Sequence, residues 1–324
     1  MTVDALSEVL RAVRLDGAVY LAAEFGAPWC MRASYGLPGV HRALRPGEHV
    51  VYFHHVTEGA CRVRLAEGGA PVELSAGDVI LFPRDDHHLV GSDVHLAPAD
   101  TDALVSAADL SDPHLIRMRA GGDGEKTRFV CSYLIGQRAL LRPLIETLPP
   151  MLRVGVGEGP ASGLVRELMR TGVRESASEA TGSGSARVKV AELLFVEAMR
   201  RYVATLPPVG AGWFAGLRDA HVGRALSALH GRPEHDWTVD ALAREAALSR
   251  SSFGERFAEL VGEPPMVYLT RWRLALAAQA LRAHDEAIAR IAERAGYDSN
   301  AAFGRAFKRE FGVPPAAWRR LGRA

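Results

Sequence analysis

Four histidines and a glutamate in the first hundred residues have side chains that can bind divalent metals: His54, His55, Glu58, His87 and His88. Neutral imidazole and carboxylate suit zinc, iron or nickel. Neighbouring side chains in a strand point to opposite faces, so at most one histidine of each pair can face a shared interior. Two interpretations stay open: a divalent metal held inside the N-terminal part, or histidines that form hydrogen bonds or lie at the surface. No cofactor is certain.

Cys30, Cys61 and Cys131 are the three cysteines, and none has CxxC spacing. That pattern argues against a disulfide framework and against a zinc finger, and it favours buried thiols. Cys61 and Cys131 fall in predicted strands. A redox or electrophile-sensing role for these two stays open, and it would require a lowered thiol pKa.

Two segments fifty positions apart have similar sequences: LAREAALSRSSFGERFAELVGEPPMVY at 242–268 and IAERAGYDSNAAFGRAFKREFGVPPAAW at 291–318. Their Phe, Gly and Pro positions match at an offset of fifty, whereas the alanines upstream match at forty-nine. A turn tolerates a one-residue difference in length, but the same difference within a helix would rotate its face by about 100°. Each copy is therefore predicted to fold as helix, turn, helix.

Local signals set the helix boundaries in the first copy. A short helix is predicted over 239–247, and Ser249 follows it as the N-cap of a second helix. Phe253 and Phe257 lie four residues apart, on one face of that second helix, and are predicted to anchor it to the core.

The second copy has equivalent signals. A supporting helix is predicted over 287–295, and Gly296 supplies a left-handed turn residue after it. Asp298 or Ser299 is the predicted N-cap of the next helix. A long helix over 266–283 joins the two copies.

Two such units can present their second helices to successive major-groove segments, about 34 Å apart. From Gly216 onward the chain has 17 basic and 13 acidic residues, against 22 and 25 before it, so the repeat lies in the more basic part. Helical solenoids also contain repeats, but they need at least three, and this chain has two.

The second copy resembles the signature of the AraC/XylS family of bacterial transcription activators through IA-x3-GY-x-S-x3-F-x-R-x-F-K-x2-FG-x-PP-x2-W-R. The resemblance covers about residues 217–322. It implies binding to double-stranded DNA through recognition helices at about 250–260 and 300–310. By position, it places the base-reading sites at Ser251, Gly254, Glu255, Ala301, Ala302 and Arg305.

The chemistry of these residues differs. Arg305 can contact guanine O6 and N7, Ala301 or Ala302 can pack against a thymine methyl, and Glu255 can accept from cytosine N4. The other predicted DNA-binding residues are phosphate contacts, together with the cap residue Ser299: Arg250, Asn300, Lys308 and Arg309. The alternative for each is a solvated helix face. Gly254 and its counterpart Gly304 read no base, and we expect them to allow close approach of backbone or DNA.

Short strands are predicted at 18–25, 49–56, 60–66, 78–83 and 128–135, a pattern typical of a β-barrel or sandwich. Within them, AGDVILFPRDDHHL resembles the second cupin motif at Gly77, Pro83 and His88, with Asp85 in place of its usual glycine. PGEHVVYFHHVTEG resembles the first motif less well. Phe53 takes the first position of its HxH pair and His55 the second, and Glu58 lies one residue too close.

This part as a whole resembles the cupin-type sensor of one branch of AraC regulators. The resemblance implies a domain that binds a small effector or registers a chemical stress, and that helps the protein form a homodimer. A filled barrel that only dimerises is the alternative. RNA polymerase is a further expected partner of a transcription activator.

Helical spacing continues at 140–148, 164–169 and 193–203, with a Gly/Ser-rich stretch at 179–187 predicted as a mobile loop. We therefore expect an α+β chain: a cupin-like sensor and dimerisation domain over 1–206, a linker over 207–216 and a DNA-binding domain over 217–324. No apolar run reaches the length of a membrane span, and residues 1–14 mix acids and arginines among their apolar positions and so contain no signal-peptide core. A cytoplasmic protein without membrane contact is therefore expected. A metal-dependent cupin enzyme with a helical assembly domain is the alternative from another class, and a pure scaffold is a third.

Overall fold

The N-terminal part is built from β-strands. The computed structural model describes residues 4–13, 15–33, 44–100, 103–104, 108–112, 115–155, 183–207 and 210–322. Its strands are β1 (Asp16–Gly26), β2 (Cys30–Ala33), β3 (Glu48–Glu58), β4 (Ala60–Leu65), β5 (Val72–Ser75), β6 (Asp78–Phe82), β7 (His88–Gly91), β8 (Asp109–Asp112), β9 (Leu115–Gly121), β10 (Lys126–Gln137) and β11 (Leu152–Gly155). The five strands predicted from the sequence are confirmed.

The strands form two sheets. One has seven strands in the order β11-β6-β3-β10-β1-β9-β8, and the other has four in the order β2-β7-β4-β5. Alternate side chains face different cores: Tyr52 and Phe129 pack between the sheets, whereas Phe53 and Leu134 pack toward the helices. The sequence predicted a barrel, and the described strands form two facing sheets around a filled interior, since each sheet is hydrogen-bonded only within itself.

Helices cover the outer face of the larger sheet. These are α2 (Arg138–Ile145) and α3 (Ser183–Thr205), and α1 (Ala5–Ala12) precedes the first strand. The predicted apolar spacing after β10 is confirmed, because Leu140, Leu141 and Leu144 are fully buried in α2. The prediction of a mobile loop at 179–187 is wrong from Ser183 onward, where α3 begins. Extending an existing helix costs less than starting one, so the helix of the following apolar segment continues into the Gly/Ser-rich stretch. The predicted segment 164–169 lies outside the described residues.

The C-terminal part consists of helices: α4 (Trp213–Arg218), α5 (Val222–Gly231), α6 (Val239–Ala246), α7 (Arg250–Val261), α8 (Pro265–Ala283), α9 (Ile288–Arg294), α10 (Asn300–Phe311) and α11 (Pro315–Leu321). The end of the predicted linker is helical, because Trp213 and Phe214 are buried and so fix α4 in the core. No helix in the described part of the chain is long and apolar enough to cross a membrane.

The two repeat copies have the predicted helix-turn-helix structure. The hydroxyls of Ser249 and Ser299 cap α7 and α10, and each accepts a hydrogen bond at 3.2 Å from a backbone N–H three residues later. Ser299, and not Asp298, is the cap of α10. The left-handed turn residue is Ala247 in the first copy, with φ 52°, and Gly296 in the second, with φ 79°. The extra residue of the second copy lies in the turn, as predicted.

The two parts of the molecule share a core. The short helix α1 packs against α5, and one continuous cluster of buried residues includes both of them and extends to α8. Polar contacts reinforce this junction: Arg142 of α2 donates to the Glu263 carboxylate at 2.5 Å, and Gln279 of α8 donates to the Ala12 carbonyl at 2.7 Å. Helices α1 and α2 of the N-terminal part therefore contact α8, the helix that joins the two helix-turn-helix units, and its immediate neighbours.

Candidate nucleic-acid interface and buried polar cluster

The predicted DNA-binding residues lie on the outward faces of α7 and α10. Phe253 and Phe257 in α7, and Phe303 and Phe307 in α10, are fully buried and hold the opposite faces against the core. The outward residues are exposed or half-buried: Arg250, Ser251, Gly254, Glu255, Ser299, Asn300, Ala301, Ala302, Arg305, Lys308 and Arg309. Each helix therefore presents one accessible face of the kind that enters a major groove.

Two of the three arginines predicted to contact DNA, Arg250 and Arg305, have different surroundings. Arg250 donates to Asp240 at 3.0 Å in an ion pair that is exposed to solvent. Arg305 has no hydrogen-bond or ion-pair partner within the described ranges. A guanidinium without a partner can bind a base edge with no loss of an existing contact, whereas Arg250 must exchange a carboxylate for a phosphate.

Gly254 and Gly304 lie at equivalent positions in the two helices. A Cβ atom built on either would meet nothing within 4 Å. No neighbouring backbone of the described chain therefore requires these glycines, although glycine costs about 1 kcal/mol relative to alanine inside a helix. Of the two expectations for them, close approach of another segment of backbone is not met, and close approach of DNA stays a prediction.

A chain of polar groups crosses the interior between the two sheets. His88 Nδ1 is 2.9 Å from the Asp86 carbonyl oxygen, and the Nε2 atoms of His88 and His54 are 2.7 Å apart. His54 Nδ1 is 2.9 Å from Cys131 Sγ, the residue opposite it in the sheet. His54, His88 and Cys131 are each at most 1% exposed.

The carbonyl at the end of the chain fixes the direction of every hydrogen bond. A carbonyl only accepts, so His88 Nδ1–H donates to Asp86, which leaves His88 Nε2 as an acceptor. His54 Nε2–H donates to that atom, and His54 Nδ1 then accepts from the Cys131 thiol. This assignment holds while both imidazoles are neutral.

Burial keeps the groups of this chain uncharged. It lowers the pKa of His88 to about 3 and lowers the pKa of His54 well below its usual value, with the His88 charge adding to the effect. Burial also raises the pKa of the Cys131 thiol to about 12, while the neighbouring hydroxyls of Tyr52 and Tyr20 act in the opposite direction. At pH 7 the cluster is therefore neutral, and Cys131 is a thiol.

The sequence grouped His54, His55, Glu58 and His88, and the structure brings only His54 and His88 together. His55 lies on the opposite face of β3, as strand alternation requires. Glu58 ends the strand, where its exposed carboxylate accepts from Arg128 at 2.5 Å. Within the described ranges no three His, Cys, Asp or Glu side chains are arranged to hold a metal ion, so the residues present do not fit the metal of the cupin motif.

Cys61 faces a different environment from Cys131. It lines a cavity of about 620 Å³ at the end of the sheets, beside the turn between β3 and β4 and the start of β10. The lining is largely polar and charged: Glu58, Arg62, Glu73, Ser75, Lys126 and Thr127 among others. Burial, with a contribution from Asp78, raises the pKa of Cys61 to about 12, so this thiol is also protonated at pH 7.

Sequence reasoning missed Tyr20 and Tyr52, whose hydroxyl groups hydrogen-bond to each other beside Cys131. A signal for Tyr52 was available, because it lies two residues before His54 in the same strand and so faces the same side. Tyr20 and the His54–Cys131 pair depend on cross-strand register, and the sequence alone does not give that register.

Known proteins resemble the chain over nearly its whole length. The family described as Cupin matches residues 4–204, and the helix-turn-helix domain family matches residues 242–321. The chain is 32% identical over 321 residues to an AraC-like transcription regulator of Streptomyces lividans, with 98% of each protein covered. It is 28% identical over 320 residues to the HTH-type transcriptional regulator AlkR of Acinetobacter baylyi, with 98% of this chain and 99% of that protein covered. The crystal structure of ToxT from Vibrio cholerae O395 covers 95% of this chain and 97% of its own at 10% identity and a TM-score of 0.35.

A sheet domain followed by two helix-turn-helix units, with relatives of the same length, defines a DNA-binding transcription regulator. The chain belongs to the AraC family of transcription regulators, and its N-terminal domain belongs to the cupin family. The resemblance found in the sequence is confirmed, and the full-length relatives favour a regulator over a cupin enzyme.

Proposed function

We propose that this protein reads a promoter by inserting α7 and α10 into successive major-groove segments. The observation that carries the proposal is the matched geometry of the two units: both have a serine cap, a buried pair of phenylalanines and an accessible outward face. Arg305 reads a guanine, Ala301 and Ala302 meet thymine methyls, and Glu255 accepts from a cytosine. Ser251 is a further base-reading position, since a serine hydroxyl can donate to or accept from a base edge. The remaining outward residues position the helices on phosphates: Arg250, Ser299, Asn300, Lys308 and Arg309.

We further propose that residues 1–206 sense a small molecule and that residues 217–324 respond. The interior between the sheets is filled, so the effector site in this proposal is the cavity of about 620 Å³ beside Cys61, whose volume suits a small ligand. Coupling requires that the effector favour one arrangement of the domains over another. The contacts of α1 and Arg142 with the DNA-binding part offer a route for it.

Chemical stress is the second candidate signal, favoured by the hydrogen bond from Cys131 to His54. Oxidation or alkylation of Cys131 would break that bond inside a packed interior and disturb both sheets. Cys61 is reachable from the cavity and is the second thiol in this proposal. Because both thiols are protonated at pH 7, a slow reaction with ordinary alkylating agents is expected.

The protein in this proposal is not an enzyme, since His54 Nε2 and His88 Nε2 bind each other and the other predicted ligands point elsewhere. A homodimer on paired half-sites, contact with RNA polymerase and a cytoplasmic location complete the proposal. Metal analysis of the purified protein tests the enzyme alternative, which near-stoichiometric iron or nickel would favour.

Sequencing of genomic fragments retained by the purified protein at about 150 mM salt, where non-specific phosphate binding is weak, tests the DNA-binding proposal. We expect a sharp sequence motif that weakens at one base pair when Arg305→Ala is used in parallel. Repeating the selection with candidate effectors separates a missing effector from an absence of sequence recognition, because only the first restores a motif.

A further inference from the structure

Arg273 of α8 connects the first helix-turn-helix unit to the second. Its Nε donates to the Pro233 carbonyl at 2.6 Å and its Nη2 donates to the His235 carbonyl at 2.7 Å. Both carbonyls belong to the loop between α5 and α6. Helix α6 in turn packs against α7. A charged guanidinium with two well-placed carbonyl acceptors forms strong and directional hydrogen bonds.

The same guanidinium lies against the turn of the second unit. A Cβ atom at Gly296 would be only 2.5 Å from Arg273 Nη1, and Gly296 has a left-handed φ of 79°. The turn that leads into α10 therefore sits directly on the side chain that holds the loop before α6. The left-handed backbone conformation favours glycine at this position, and a side chain here would in addition displace the Arg273 guanidinium.

Little else fills the gap between the units on this side. A cavity of about 240 Å³ lies beside Arg273, lined by Pro233 and Glu234 from the first unit and by Ile291, Arg294 and Ala295 from the second. Burial lowers the pKa of Arg273, which agrees with its position between the two units. On this side of α8, the direct contact between the loop of the first unit and the turn of the second therefore runs through Arg273, beside this cavity.

Arg271 makes a different kind of bridge, two residues earlier in α8. It pairs with Glu263 at 2.6 Å and with Glu310 at 3.8 Å, in contacts that are exposed to solvent. Exposed ion pairs hold geometry weakly. Residues two apart in a helix point about 200° away from each other, so Arg271 is a matched control for Arg273 on the other side of α8.

We propose that Arg273 is a positioning residue that fixes the distance and angle between α7 and α10, and thereby the spacing of the two DNA segments that the protein accepts. The proposal rests on DNA binding by both units. One base pair changes the separation along the DNA axis by about 3.4 Å and the direction of the groove by about 35°. The guanidinium cannot follow a displacement of that size and keep both carbonyl bonds.

The test uses the full chain and a set of DNA duplexes with the selected motif, in which one base pair is removed or inserted between the two segments. We expect the unaltered protein to prefer one spacing by about tenfold or more. Arg273→Met should reduce that preference to about threefold or less, and Arg271→Met should keep it. Arg273→Lys, which can donate to one carbonyl at a time, should give an intermediate preference.

Equal weakening at every spacing by Arg273→Met, with the preference kept, would overturn the proposal, because a merely structural role predicts that result. Gly296→Ala displaces the same guanidinium without removing it and provides a second route if Arg273→Met fails to fold; an unchanged preference in Gly296→Ala would also overturn the proposal. Absence of any sequence-selective binding by the unaltered protein would instead contradict the DNA-binding assignment of the two helices.

Discussion

Arg305 and Arg250 show how a single side chain can be assigned from its neighbours. Arg305 is exposed on α10 without a partner in the described chain, whereas Arg250 pairs with Asp240 at the start of α7. We expect Arg305→Ala to cost about 1–3 kcal/mol of binding and to relax the preference at one base pair. Arg250→Ala should weaken binding evenly across sequences and lower the salt slope by about 1. Equal losses for Arg305→Ala on selected and random duplexes would contradict base reading.

The buried histidines make stability depend on pH. Burial lowers the pKa of His88 and of His230 to about 3, and lowers that of His54 well below its usual value. The unfolded chain binds protons that the folded chain excludes, so the stabilising effect is complete above about pH 6.5 and is lost as the pH falls toward 3. Urea unfolding between pH 7 and pH 5 should show this loss. His230→Phe should reduce the slope by up to about 1.4 kcal/mol per pH unit, and an unchanged slope would contradict a neutral His230.

At the residue scale the sequence predicted which residues lie on the outward faces of α7 and α10, but not the polar cluster. Helical periodicity alone separates Phe253 from its outward neighbours, because both lie within one helix. The contact of His54 with His88 and Cys131 joins three strands, and its geometry depends on register and sheet packing. Motif spacing therefore grouped His55 and Glu58 with His54, although the fold separates them.

Glycines in the helix-turn-helix elements have opposite roles that substitution can separate. Gly304 lies within α10 with open space around it, so Gly304→Ala should raise the free energy of unfolding by about 1 kcal/mol. Gly296→Ala should lower it, since Gly296 has a left-handed φ and Arg273 lies against it. Thermal unfolding of the two variants gives the comparison. If DNA approaches the helix closely at Gly304, the more stable variant will bind its site more weakly.

At the element scale the helices were predicted best where apolar spacing and caps agree. The turn of the second unit was placed from a one-residue offset between the copies, and the structure has the extra residue there. Composition misled at 183–187, because Gly and Ser weaken a helix without ending it when a longer apolar segment follows.

The whole molecule should unfold with its two parts coupled, since α1 and α5 share a core. Leu6 of α1 is 6% exposed in that core, so Leu6→Ala should cost about 2–4 kcal/mol. Four of the five tryptophans lie after residue 206, so tryptophan fluorescence reports mainly on the DNA-binding part. We expect Leu6→Ala to lower the urea midpoint of that signal, and Arg11→Ala, at an exposed position of the same helix, to leave it nearly unchanged. A fluorescence midpoint unaffected by Leu6→Ala would mean that the parts unfold independently.

The inequality of the two recognition helices has a consequence for the promoter. The outward face of α7 carries Ser251 and Glu255, and that of α10 carries Ala301 and Arg305, so the two groove segments cannot be exchanged. With the proposed contacts, a single protomer therefore binds DNA in one direction, and its target has polarity, unlike a palindrome, whose halves are related by a two-fold axis. If the target sequence were inverted beside the same gene, the bound protein would be inverted too. Its N-terminal domain would then face the opposite direction relative to the transcription start. On this proposal, the orientation of the target relative to its gene matters for regulation as well as the sequence of the target.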